Sequence, residues 1–182
     1  MTTMTVELIS GPWTYADLET LPDDGRRYEI IDGVLLVSPS PIPDHQGVVV
    51  SLIHLLLTAA PDDMRVLPAP LDVVLSDDNV VEPDILIARR DSFGPKNLPG
   101  PPLLAVEVFS PSTKLIDLNV KKSLYERMGV PSYWTVDPVS LNFVAYELRD
   151  GHYVTVADIS GTDSWTADAP FPVTIVPDDL RY

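Results

Sequence analysis

The sequence predicts a mixed α/β fold, and three patterns predict it. Two short apolar runs meet around Asp32-Gly33, a strong β-hairpin signal. A long apolar helix pattern follows, from His45 to about Ala60. Further on, an apolar strand, a helix and a second apolar strand succeed one another between Leu103 and Val136, which suggests a right-handed parallel crossover. With 182 residues the chain has the length of one domain, 1–182, and can bury a core without staples.

The elements follow in order. Thr14-Tyr15-Ala16-Asp17 resembles a capping box, so a short helix runs to about Leu21. Pro22-Asp23-Asp24-Gly25 is a turn. Tyr28-Glu29-Ile30-Ile31 and Val34-Leu35-Leu36-Val37 are the hairpin strands. The Pro-rich stretch from Pro39 to Pro43 leads to Asp44, a good N-cap for the long helix. That helix carries apolar residues almost all round and is expected to be well buried. Leu71, Val73 and Leu75 alternate as a strand, Ser76 to Asn79 is a turn, and Val80 to Ile87 reads as the partner strand. A Pro/Gly-rich loop spans about Asp91 to Pro102. Leu103 to Phe109 is a strongly apolar strand. Asp117 is expected to cap a helix ending at Gly129, with Val120, Leu124 and Met128 on one face. Tyr133 to Val136 is the next strand, and two strands around Arg149-Asp150-Gly151 form a late hairpin.

Composition narrows the function. The net charge is −15, which argues against a broad basic surface for nucleic acid. Yet six of the 12 Lys and Arg form adjacent pairs, Arg26-Arg27, Arg89-Arg90 and Lys121-Lys122, so a local basic face is open. No cysteine is present, which excludes disulfides, thiol catalysis and thiolate metal sites and fits a reducing compartment. No apolar run reaches the roughly 18 residues of a membrane span. The N-terminus lacks the basic start and apolar stretch of a signal peptide, so a soluble, cytoplasmic protein with no membrane partner is the expectation. The 19 prolines fall between apolar runs and read as defined turns.

The phosphate loop, the dinucleotide glycine motif and the nucleophile elbow are all missing. His45 and His54 lie nine residues apart on one helix pattern. At 100° per residue they face opposite ways and cannot share a metal. A zinc hydrolase and a Ser-His-Asp triad are therefore not expected.

Glu107 is the informative residue, because every neighbour in Leu-Leu-Ala-Val-Glu-Val-Phe is apolar. On a strand it shares a face with Leu103, Ala105 and Phe109. An unpaired buried carboxylate costs several kcal/mol, so a proton, a cationic side chain or a metal ion must neutralise it. A structural pair with Arg or Lys, or a strand end open to solvent, is the plainer alternative. Asp84 begins the apolar run Ile85-Leu86-Ile87-Ala88 directly after Pro83, which interrupts a strand ladder. Strand ends meeting at one rim would bring Asp84 and Glu107 together, although Asp84 could also merely end a turn. Two carboxylates without a nearby histidine suit a hard cation, Mg²⁺ or Mn²⁺. Glu29 alternates with Tyr28 and Ile30 beside Arg26-Arg27, a weak signal taken alone. Lys121 or Lys122, early in the following helix, could reach the same rim, or both could be solvated.

Several motifs then coincide in order. They are Arg27-Tyr28-Glu29-Ile30-Ile31-Asp32-Gly33; Ser38-Pro39-Ser40-Pro41 with His45-Gln46; Glu82-Pro83-Asp84; Val106 to Thr113; Asp117 with Lys121 and Tyr125; and Gly129 to Pro138. From about Thr14 to the C-terminus the chain resembles the Uma-two restriction-endonuclease family of the PD-(D/E)XK nuclease superfamily. The resemblance implies a restriction-endonuclease-like core over about 14–176: a mixed sheet flanked by helices, with an N-terminal hairpin and C-terminal antiparallel strands. It implies a metal-dependent endonuclease acting on DNA. Asp84, Glu107 and the Val108 carbonyl would hold Mg²⁺ or Mn²⁺. Phe109 stands where the superfamily usually has its lysine, and Lys121 matches the displaced lysine, with Lys122 as the fallback. Glu29 would complete the catalytic set by holding a second ion or its water. A homodimer is also implied. A non-catalytic binding protein of the same fold, favoured by the acidic charge, and a hydrolase of small phosphoesters are the competing readings.

Overall fold

Hairpin geometry, proline placement and one widened helical turn decide how this chain folds. The computed structural model describes residues 6–110 and 114–181, so Pro111-Ser112-Thr113 of the fourth motif lie outside the described residues. Strand β1 (Glu7–Ile9) is followed by α1 (Tyr15–Leu18). The Thr14 N–H donates to the Asp17 carboxylate at 2.8 Å, as a capping box requires, and the Thr14 hydroxyl donates to the same oxygen at 2.7 Å. Strands β2 (Arg27–Ile31) and β3 (Val34–Ser38) pair antiparallel across Asp32 and Gly33. Both loop residues have positive φ, 50° and 72°, which the right-handed twist of a two-residue hairpin demands.

Helix α2 (Pro43–Ala59) begins two residues earlier than expected. Ile42 is the N-cap and Pro43 takes the first turn, where its missing N–H costs nothing, so Asp44 is not the cap. The helix is also less buried than its composition suggests. His45, Val48, Val49, Leu52 and Leu56 face inward, while Val50 and Leu57 are more than half exposed.

Strand β4 (Met64–Pro68) leads to β5 (Val73–Ser76) and β6 (Asn79–Val81). The run expected as a single strand from Val80 to Ile87 is two strands. Pro83 has no N–H for a ladder, so β6 stops and β7 (Ile85–Arg89) starts in a different sheet. Within the expected loop, β8 (Leu98–Pro99) pairs parallel with β5. Strand β9 (Leu104–Val108) then enters a wide π-helical turn (Ile116–Lys121), continued by α3 (Lys122–Arg127). Asp117 lies inside that turn, buried, and does not cap a helix. The widened turn also shifts the helical phase. Leu124 and Tyr125 are buried beside Asp117 and Lys121, whereas Val120 is exposed. Strands β10 (Ser132–Val136), β11 (Phe143–Arg149), β12 (His152–Ile159), β13 (Trp165–Ala167) and β14 (Val173–Ile175) complete the chain.

The strands form two six-stranded mixed sheets and a small ribbon. The first sheet has the order β1-β3-β2-β6-β5-β8, and the second β12-β11-β10-β9-β7-β4. Strands β9 and β10 run parallel, as the crossover pattern predicts, and β11 and β12 form the late hairpin. Side-chain alternation gives the second sheet two apolar faces. Ile85, Ile87, Leu104, Val106 and Trp134 pack with Val48, Leu52 and Leu56 of α2. Leu86, Ala105 and Tyr133 pack with Ile31, Leu36 and Val81 of the first sheet and with Leu124 and Tyr125 of α3. Glu29 shares a face with Ile31, and Glu107 with Ala105, so both carboxylates point into this second layer between the sheets.

The one-sided burial of α2 gives a direct test. Leu52→Ala should cost about 3 kcal/mol by opening a cavity, while Leu57→Ala should change stability by no more than about 0.5 kcal/mol. Urea unfolding monitored by tryptophan fluorescence reads both; equal losses would mean that the helix is covered on both sides.

Candidate functional site

Glu29, Asp84, Glu107 and Lys121 are each 1–3 % exposed and come from four separate parts of the chain. The Lys121 ammonium joins three of these parts. It lies 2.8 Å from Glu29 Oε1 on β2, 3.0 Å from Glu107 Oε1 on β9 and 3.9 Å from Asp117 Oδ1, one turn earlier. The Tyr125 hydroxyl, four residues on, donates to Glu107 Oε1 at 2.9 Å. The Tyr133 hydroxyl donates to the Asp117 carbonyl at 2.9 Å and braces the π-helical turn. Glu29 Oε1 also accepts the Glu82 N–H at 2.9 Å, which pins the segment between the sheets.

Asp84 occupies the sheet-to-sheet crossing. Strand β7 runs antiparallel to β9, so the residue before β7 meets the end of β9. There Asp84 Oδ2 accepts the Val108 N–H at 2.8 Å and faces His45 Nε2 at 3.1 Å. Asp84 Oδ1 accepts from the Arg27 guanidinium at 2.9 Å, and Arg27 reaches Glu82 Oε2 at 3.7 Å. A cavity of about 380 Å³ opens over this outer part, walled by Arg27, Tyr28, Ser40, His45, Gln46, Glu82 and Asp84 among others.

The structure therefore brings together Glu29, Glu107 and Lys121, and sets Asp84 against Val108 at the end of the Glu107 strand. Lys122 points elsewhere, with its ammonium 3.8 Å from the centre of the Tyr146 ring. Sequence reasoning missed the roles of Arg27, His45, Asp117 and Glu82. The spacing of His45 from His54 excludes only a metal shared by the two, and His45 lies against Asp84 on the inner face of α2. The premise that no histidine lies near the paired carboxylates is corrected by that contact. Asp117 was legible only through its spacing of four from Lys121.

The electrostatics are unbalanced. Among the described residues, five carboxyls, Glu29, Glu82, Asp84, Glu107 and Asp117, surround two permanent cations, Arg27 and Lys121. Burial works against the charge of Asp84, but His45 and Arg27 outweigh it and hold the carboxyl well below its ordinary range. Burial also opposes the charge of Lys121, but Glu107, Glu29 and Asp117 raise the ammonium above its usual value. Glu107 goes the other way. Burial pushes its carboxyl well up against the pull of Lys121, and Asp117, Asp84 and Glu29 add repulsion. Glu82 is lifted to about 7, chiefly by burial and then by Glu29.

Among the described residues no three His, Asp or Glu side chains form a ready-made metal cage. Lys121 and Arg27 stand on the oxygens that such a cage would use. The chemistry of the donor set nevertheless fits a divalent ion. It is oxygen-rich, carries more acid than base, and has one strongly acidic carboxyl at a cavity wall.

A family model described as "Uma2: Putative restriction endonuclease" matches residues 15–178. The chain belongs to the Uma2 family. Solved structures match as well. Among them is the 1.96 Å crystal structure of a protein from Anabaena variabilis described as "a putative nuclease belonging to DUF820". It is 17% identical, the match covers 93% of this chain and 97% of that one, and the TM-score is 0.73. This Uma2 chain thus has the restriction-endonuclease-like fold expected from its motifs. No curated protein matches it. No helix among the described residues is long and apolar enough to cross a membrane.

Two stability predictions follow from the charge balance. Lys121→Met should cost about 3–5 kcal/mol, because it strands buried carboxylates without a counter-charge. Denaturant titration at neutral pH measures this, and a loss under about 1 kcal/mol would mean that Lys121 does not hold the layer together. The second concerns Glu82, whose carboxyl goes from an ordinary 4.5 to about 7 in the folded chain. Below pH 4.5 both states are protonated and the cost is absent. Between 4.5 and 7 the unfolded chain gives up its proton first, so stability falls as pH rises. Above 7 the full cost, about 3 kcal/mol, is present. In metal-free buffer, Glu82→Gln should match the wild type near pH 4.5 and exceed it at pH 8; parallel stability curves would remove Glu82 as a source of strain.

Proposed function

We propose that this Uma2 protein is a divalent-metal-dependent endonuclease that hydrolyses phosphodiester bonds in DNA. The observation that carries the reading is the pairing of Asp84 and Glu107 at adjoining ends of antiparallel strands, with Lys121 between Glu107 and Glu29. Asp84, Glu107 and the Val108 carbonyl would hold Mg²⁺ or Mn²⁺. Such an ion supplies Lewis-acid stabilisation of the phosphate and a more acidic water.

The remaining work falls to the chain's own groups. Lys121 has three donors and is held between two carboxylates. It can orient the attacking water or meet the charge that grows on the phosphate. Glu29 positions Lys121 and is the candidate partner for a second ion. Tyr125 fixes the Glu107 carboxylate by its hydroxyl hydrogen bond. Burial keeps the set away from bulk water and strengthens each of these contacts. The reading includes one domain over 1–182, a homodimer that presents two sites to two strands, and a cytoplasmic location, the compartment of the substrate.

Plasmid nicking tests it. Supercoiled plasmid with Mg²⁺ or Mn²⁺ should be nicked by the wild type, and nicking should stop with a chelator. Glu107→Gln should lose at least 10²-fold in rate while keeping its fold, because the change removes a costly buried charge. Nicking at equal rate by Glu107→Gln would overturn the site. Hydrolysis of a small aryl phosphodiester without any plasmid nicking would replace DNA by small phosphoesters, and inactivity on both would leave a binding protein of nuclease fold.

A further inference from the structure

We propose that Arg27 is a phosphate-binding residue held in reserve: in the metal-free protein it neutralises Asp84, and when a divalent cation enters it turns from Asp84 to the phosphate of the substrate. The inference rests on the metal-dependent reading above and deepens it.

The two oxygens of Asp84 do different jobs. Oδ2 faces the framework, where it accepts the Val108 N–H and meets His45 Nε2. Oδ1 accepts from the Arg27 guanidinium at 2.9 Å. Oδ1 is therefore the oxygen left for a metal, and Arg27 stands on it. A divalent cation and a guanidinium cannot share that oxygen without strong repulsion.

Arg27 is also built to leave. Its side chain is 23% exposed against 3% for Asp84, so it sits at the rim of the buried cluster. Its other acidic contact, Glu82 Oε2, is 3.7 Å away, and that oxygen is buried without a hydrogen bond. Once off Asp84, the guanidinium remains at the wall of the 380 Å³ cavity with Ser40 and Gln46. The neighbouring cation, Arg26, is tied to Asp24 at 2.7 Å. A chain of net charge −15 offers an incoming phosphate few other partners, and a planar guanidinium suits one in a bidentate grip.

The test measures Mn²⁺ binding to the full-length protein by calorimetry, with no substrate present. Arg27→Met should bind Mn²⁺ at least about tenfold more tightly than the wild type, because the resident counter-charge is gone. Its melting temperature should fall without metal and recover further on adding Mn²⁺ than the wild type's does. Arg27→Gln, which keeps a polar neighbour for Asp84, carries the same expectation if Arg27→Met does not fold. A merely structural arginine predicts the opposite sign, weaker Mn²⁺ binding. In a second measurement inorganic phosphate should bind the Mn²⁺-loaded wild type and lose about tenfold in affinity in the variants. If Mn²⁺ binds the wild type and not Asp84→Asn, yet Arg27→Met binds it no more tightly, this inference fails and the metal reading stands. Phosphate binding unchanged in the variants also overturns it. If the wild type binds no Mn²⁺, both fall.

Discussion

A single ammonium group is shared by both sheets and the helical segment between β9 and β10. Lys121 contacts Glu29 of the first sheet, Glu107 of the second and Asp117 of its own turn. Burying an ion costs several kcal/mol, and the attraction offsets this only when geometry is close and the remaining lone pairs are occupied. Here Tyr125 and the Glu82 N–H take up part of that capacity. The arrangement constrains the backbone as well. Asp117 and Lys121, four residues apart, share the inward face of the π-helical turn, and the Asp117 carbonyl accepts both the Lys122 N–H and the Tyr133 hydroxyl. Wide turns of this kind are common where a helix must present a functional side chain.

The second constraint is Pro83. A continuous strand from Val80 to Ile87 would have kept Glu82 and Asp84 in one ladder. Without an N–H at Pro83 the chain passes from one sheet to the other at that point. The passage places Glu82 by Glu29 and Asp84 by the end of β9 in two consecutive steps. A local backbone property thus joins two sheets and positions the Asp84 carboxyl at the end of β9.

This explains what was legible in the sequence. Asp32-Gly33, the Thr14–Asp17 box, the Leu103–Phe109 run and the Arg149–Gly151 turn are governed by neighbours in sequence, and each forms as its pattern predicts. Glu107 was conspicuous because a lone charge among apolar residues has few explanations. Arg27 and His45 gave no such sign, since their partner Asp84 lies 57 and 39 residues away. The face of α2 was misjudged for a related reason. Its apolar residues outnumber the contacts available, so composition alone could not say that Val50 and Leu57 stay outside. Asp117 looked like a cap because Asp is common there; its inward turn depends on tertiary contacts with Lys121 and Tyr133.

The site has an outer and an inner layer, and Asp84 links them. Arg27, His45 and Glu82 wall the cavity, while Glu29, Glu107, Asp117 and Lys121 lie behind it. Among the described residues the inner layer holds three carboxyls around one ammonium, an excess of acid over base. The outer layer reaches solvent and can exchange ions. Asp84 touches both, through Arg27 on one oxygen and the Val108 backbone on the other. On the proposed reading, an ion entering through the cavity would meet Asp84 first and the charge deficit next. An acidic body that repels polyanions at long range also concentrates cations at this opening. On the proposed reading, the net charge that counts against DNA binding would favour the divalent ion.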